Sequence, residues 1–103
     1  SYLNCALQHE KLNRGPWKNL EKYERILSEN HQVSVRIILE FDENSLLLAT
    51  GALVPSYFVK ILNFSKQQEV YRFPNNSSVY QTRWQDYLIT NPYQIIEGCI
   101  EVN

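Results

Sequence analysis

The stretch Leu12–Arg25, LNRGPWKNLEKYER, constrains the fold more tightly than any other part of the chain. Asn13 precedes a Gly15-Pro16 break, and proline suits the first helical position because the N–H it lacks has no partner there. From Pro16 the spacing predicts a helix to about Ser28, with Asn30 as its stop. At about 100° per residue, Trp17, Leu20, Tyr23 and Leu27 fall on one apolar face, and Lys18, Glu21 and Arg25 fall together beside it. Glu21 and Arg25 are four apart with the acid first, the better orientation for a surface ion pair. On pattern alone this is a capped amphipathic helix with a solvated charged edge.

The formal net charge is −1, which gives no overall attraction to nucleic acid. Half of the ten Lys and Arg residues nevertheless lie between residues 11 and 25. They are Lys11, Arg14, Lys18, Lys22 and Arg25, opposed there by Glu21 and Glu24 alone. A local basic patch is thus set in an otherwise acidic chain. With 103 residues and 44% hydrophobic content, the chain is read as one domain, 1–103, able to bury a core. Seven Tyr, four Phe and two Trp argue against disorder. No apolar run is long enough to cross a membrane as a helix. The chain opens on Ser rather than Met, without a charged-then-apolar leader, which fits a processed or trimmed chain. N-x-S sequons at Asn63, Asn75 and Asn76 are compatible with secretion but do not fix the compartment. Cys5 and Cys99 are compatible with a bridge and equally with two buried thiols. The absence of CxxC and HxxxH pairs argues against structural zinc.

Downstream, Val33–Phe41 alternates, with Val33, Val35, Ile37, Leu39 and Phe41 on one side, and predicts a strand. Leu46–Val54 reads as a buried strand or strand-plus-loop stopped by Pro55. Tyr57–Phe64 and Glu69–Phe73 read as strands joined by the polar link Ser65–Gln68, and the pair is compatible with a hairpin. Pro74–Ser78 is a surface loop, and Tyr87–Thr90 a short strand. Asn91-Pro92 opens a short helix closed by Gly98, after which the last residues add an edge strand or trail. Ser1–Asn4 reads as the end of a strand. His9 and His31 read as solvated loop residues, with His9 the first candidate should a general base lie within the chain.

Asn13, Gly15, Trp17, Leu20 and Glu21 follow the spacing Asn-x-Gly-x-Trp-x-x-Leu-Glu, with Arg25 four residues after the acid. In this the stretch resembles the DNA/RNA non-specific endonuclease family, the ββα-metal nucleases that include Serratia-type and endonuclease G-like enzymes. Asn4 and Gln8 in NCALQ are similar to the family's Asn-x-x-Pro-Gln, with Leu7 where proline is usual. Val54-Pro55-Ser56-Tyr57 with Val59-Lys60-Ile61, then Phe73-Pro74-Asn75, then Trp84-x-x-Tyr87, extend the likeness over nearly the whole chain.

The resemblance implies an α+β fold, a mainly antiparallel sheet flanked by helices, as a fragment of a ββα-metal (His-Me finger) nuclease. It implies a single divalent cation, Mg²⁺ or another such as Mn²⁺, held directly by the amide oxygen of Asn13 and otherwise by water. Glu21 would orient that water, and Arg25 would lie by the phosphate that is cut. Lys11, Arg14, Lys18 and Lys22 would contact nucleic acid. Asn13 and Glu21 are eight apart, roughly 12 Å along a straight helix, so a shared site requires the chain to fold back before Pro16.

The family's general base, a His in Asp-Arg-Gly-His, has no counterpart in the sequence. Three readings follow: the C-terminal half of a longer nuclease, one chain whose missing strand comes from a partner polypeptide or a second copy, or a degenerate copy without the chemistry. The leading function is therefore the metal-ligand half of an endonuclease acting on DNA and RNA. The alternatives are a catalytically inactive, nuclease-derived protein-interaction module, and simple nucleic-acid binding through the basic patch. The family likeness is compatible with a secreted or a mitochondrial location. The chain contains no P-loop, Rossmann glycine fingerprint or G-x-S-x-G elbow.

Overall fold

A computed structural model describes residues 7–43, 45–47, 53–90 and 99–102. The apolar period after Pro16 gives α2, Pro16–Ser28, preceded by a one-turn helix α1, Glu10–Arg14, with Gly15 alone between them. Strands β1 (Ser34–Glu40), β4 (Tyr57–Phe64), β5 (Gln67–Pro74) and β6 (Cys99–Val102) form an antiparallel sheet in the order β5-β4-β1-β6. Two short strands, β2 (Leu46–Leu47) and β3 (Leu53–Val54), pair with each other outside it. The class is α+β, an antiparallel sheet with helices packed on it.

Period-two alternation decides which side chains meet α2. From β4, Phe58, Lys60, Leu62 and Phe64 share the helix-facing side, as do Glu69, Tyr71 and Phe73 opposite them on β5. Trp17 and Leu20 enter this layer, and the Trp17 ring stands edge-on to Phe58 and Phe73, both at 5.7 Å. Tyr23 and Leu27 flank it, so the predicted apolar stripe is the one that is buried. The opposite side carries Val59, Ile61 and Val70, with Ile38 and Ile89 packed against them. Here Arg72 donates two hydrogen bonds to the Glu40 carboxylate, at 2.8 and 2.9 Å, and lies 3.6 Å from the Tyr57 ring centre. The paired carboxylate holds the guanidinium pKa above its ordinary value.

Several boundaries differ from the sequence expectation. The link between β4 and β5 is not Ser65–Gln68 but the two residues Ser65 and Lys66, with φ of 47° and 59°. Two successive positive φ values are what a type I′ turn requires, and Gln67 and Gln68 stay paired to Phe64 and Asn63. The apolar run after Leu46 contributes β2 and β3. Within Tyr87–Thr90, Tyr87 ends a 3-10 turn, Trp84–Tyr87, and the pairing with β5 is a single bridge between Leu88 and Tyr71. The last residues form an edge strand: β6 pairs with β1 from Glu40↔Cys99 to Ile37↔Val102. The expected strand end at 1–4, the helix at 91–98, Cys5 and the side chain of Cys99 lie outside the described residues.

Candidate metal and phosphate site

The site is built on α1, Gly15 and α2. The Nδ1 of His9 caps α1 by accepting from the Lys11 N–H at 3.1 Å. The backbone N–H of His9 donates to Asn75 Oδ1 at 2.6 Å, while Asn75 Nδ2 donates to the carbonyls of Leu7 and Pro55 at 2.9 and 2.8 Å. One side chain from the end of β5 thus fixes where α1 begins. At Gly15 the chain turns sharply, and a Cβ there would lie 2.5 Å from the Lys11 carbonyl oxygen. Only a residue without a side chain allows the chain to leave α1 this tightly against its own carbonyl. The break also means that Asn13 and Glu21 stand on separate helical segments, not on one straight rod.

Asn13 is exposed on α1, and its amide makes no hydrogen bond among the described residues. Glu21, half-buried, and Arg25, exposed, line a groove of about 270 Å³ between α2 and β1, together with Glu24, Ser28, Val33 and Val35. The expected Glu21–Arg25 ion pair is absent, and both side chains are without partners among the described residues. For an exposed pair worth a few tenths of a kcal/mol, side-chain entropy is enough to keep the two apart. Glu24, by contrast, is tied to the buried ammonium of Lys60. Among the described residues no three His, Cys, Asp or Glu side chains gather into a cation cage.

The five basic residues are all exposed. Lys11 and Arg14 line a second cavity, on the far flank of α1, with Tyr80. Lys18, Lys22 and Arg25 are exposed on the outward side of α2. His31 accepts or donates to Ser65 Oγ at 2.8 Å, next to the hairpin turn, and both histidines are therefore engaged in holding the fold. Gln8 Nε2 is buried without a partner, an unused donor one residue before the α1 cap.

Lys60 and Asn75 gain their importance from the structure. Both stood in segments with a family likeness, yet nothing local in sequence announces a buried lysine or an asparagine with two carbonyl partners.

A kinked helix pair laid on an antiparallel sheet, carrying Asn13, Glu21 and Arg25 without side-chain partners among the described residues, defines an α+β domain. The chain matches the model of the DNA/RNA non-specific endonuclease family over residues 1–92 and belongs to that family. Its membership fits the ββα-metal nuclease architecture, and enzymes of the family typically depend on a divalent metal. Comparison with curated proteins finds no match.

Proposed function

We propose that this chain is the metal-ligand half of a sugar-non-specific endonuclease that hydrolyses phosphodiester bonds in DNA and RNA. The observation that carries the reading is the Asn13, Glu21, Arg25 set. It stands at the family's spacing, across a glycine-enforced bend, with all three side chains free of partners among the described residues. One neutral amide oxygen and one carboxylate suit a hard cation such as Mg²⁺ or Mn²⁺, which keeps most of its waters.

When bound, the cation would polarise the scissile phosphate and stabilise the leaving oxygen. Asn13 offers Oδ1 as the direct ligand. Glu21 accepts hydrogen bonds from water and so orients it. Arg25 counters charge on the non-bridging phosphoryl oxygens. Lys18 and Lys22, on the same outward side of α2, attract the nucleic-acid backbone. The general base comes from outside these residues, because His9 serves as a helix cap and His31 binds Ser65. An upstream Asp-Arg-Gly-His segment or a partner chain supplies it.

Plasmid and RNA cleavage by the complete enzyme in Mg²⁺ tests this reading. Asn13→Ala is expected to lower the rate by about a hundredfold or more, the scale of losing a preorganised electrostatic contact. EDTA should abolish cleavage in the unaltered enzyme. A variant that is folded by circular dichroism and still cuts at the unaltered rate overturns the assignment. If no upstream segment restores cleavage to the unaltered chain, the inactive interaction module replaces it.

A further inference from the structure

After β5 the chain forms a 3-10 turn, Ser77–Val79, whose last residue is fully buried against the core. Tyr80 and Gln81 follow. The backbone around them is held at both ends: Tyr80 N–H donates to Ser77 O at 3.0 Å, and Thr82 N–H to Val79 O at 3.1 Å. Thr82 Oγ1 donates to the same Val79 carbonyl at 2.6 Å and accepts from the Tyr87 hydroxyl at 2.7 Å. Gln81 is thereby kept at a φ of 57°, where non-glycine residues are uncommon and tend to mark functional turns.

This pinned turn holds out a large aromatic side chain that the fold does not cover: Tyr80 is 56% exposed. Its ring faces α1, with Lys11 Nζ 4.7 Å from the ring centre. Tyr80, Gln81, Glu10, Lys11, Arg14 and Gly15 surround a cavity of about 260 Å³. Arg14 has no hydrogen bond or ion pair among the described residues. Two cations and one carboxylate thus line the cavity, beside a half-exposed aromatic ring that Lys11 covers on one face and a Gln81 amide without a partner among the described residues.

We propose that this cavity is a nucleotide subsite for single-stranded nucleic acid. Tyr80 stacks on one base with the ring face that Lys11 leaves open, Lys11 and Arg14 contact the adjoining phosphate, and Gln81 and Glu10 meet the polar edge of the base. A base paired within a duplex has its faces occupied by its neighbours, so the stack selects unpaired segments. The proposal rests on the nuclease reading for its purpose, since Arg14 directly follows Asn13, and it extends that reading to a base contact beside the cut.

The test is fluorescence anisotropy of a labelled short oligothymidylate with this 103-residue chain in EDTA, where neither metal nor cleavage contributes. Tyr80→Ala is expected to weaken binding by about 5- to 100-fold, the range of a base–aromatic stack. Tyr80→Phe should retain the affinity of the unaltered chain, and an abasic oligonucleotide should bind it as weakly as Tyr80→Ala binds the intact one. Lys11→Ala with Arg14→Ala should flatten the salt dependence by about one unit of log–log slope. Absence of binding, unchanged affinity in Tyr80→Ala, or equal affinity for duplex and single strand would each overturn the subsite. Cleavage by the complete enzyme reads the catalytic assignment separately. Tyr80-dependent binding with no such cleavage would keep the subsite and remove the nuclease reading.

Discussion

The ammonium of Lys60 lies 2.8 Å from the Glu24 carboxylate, beneath α2, with 3% of its side chain exposed. It also sits 4.1 Å from the centre of the Trp17 ring. A charged group in the middle of a core strand is tolerated because it has both an anion and an aromatic face. The pair also ties down Glu24 where it lines the groove beside Glu21 and Arg25.

Lys60→Ala removes one member of this pair and leaves the other charge partly buried. It should destabilise the domain by about 3 kcal/mol, the usual result of breaking such a pair. Lys60→Met combined with Glu24→Gln should recover most of that loss, because no uncompensated charge remains. Denaturant midpoints of the three proteins check this. Equal stability of Lys60→Ala and the unaltered chain would mean that the pair contributes nothing.

Gly15→Ala introduces a Cβ at 2.5 Å from a backbone oxygen, which has no flexible end to move aside. Relief requires α1 to shift against α2, at a cost of about 1–3 kcal/mol. Thermal unfolding should show the loss. In the complete enzyme, cleavage should fall as well, since Asn13 moves with α1. A variant as stable as the unaltered chain would show that the bend does not depend on glycine.

Tyr23 and Tyr71 both donate to Glu69 Oε1, at 3.0 and 2.8 Å. Burial, and then the carboxylate, push the Tyr23 phenol up to about 12, and the same causes raise Tyr71 further. A folded-state pKa above the unfolded value of about 10 stabilises the fold below pH 10, and that stability is lost as pH rises through the folded value. Stability should therefore fall between pH 10 and about 12. Glu69→Gln removes the anion and should lower the pH at which phenolate absorbance appears. No change in that titration would disconnect Glu69 from both phenols.

Much of the fold was legible because periodicity survives where one face is buried. Trp17, Leu20, Tyr23 and Leu27 marked α2 with its observed ends, and the β-formers of Tyr57–Phe64 marked β4. The hairpin turn was harder to place, since Ser65-Lys66 lacks the glycine that usually announces a type I′ turn. Tyr87–Thr90 has strand composition but only one bridge, because tertiary packing of Trp84 and Tyr87 takes precedence over local propensity. For the candidate site, the spacing of Asn13, Glu21 and Arg25 was readable within one segment. The cavity that Lys11 and Arg14 line was not, because Tyr80, which stands beside Lys11, arrives from far along the chain.

The amide nitrogen of Asn75 already donates to two carbonyls, and it heads the triplet Asn75-Asn76-Ser77. A sugar attached to that nitrogen would leave it one N–H for two carbonyls, so either Leu7 or Pro55 would lose its partner. Glycosylation at Asn75 and attainment of this fold therefore oppose each other. Were the chain to pass through a secretory compartment, the two would compete in time, and a glycan at that position would label molecules that had not folded first.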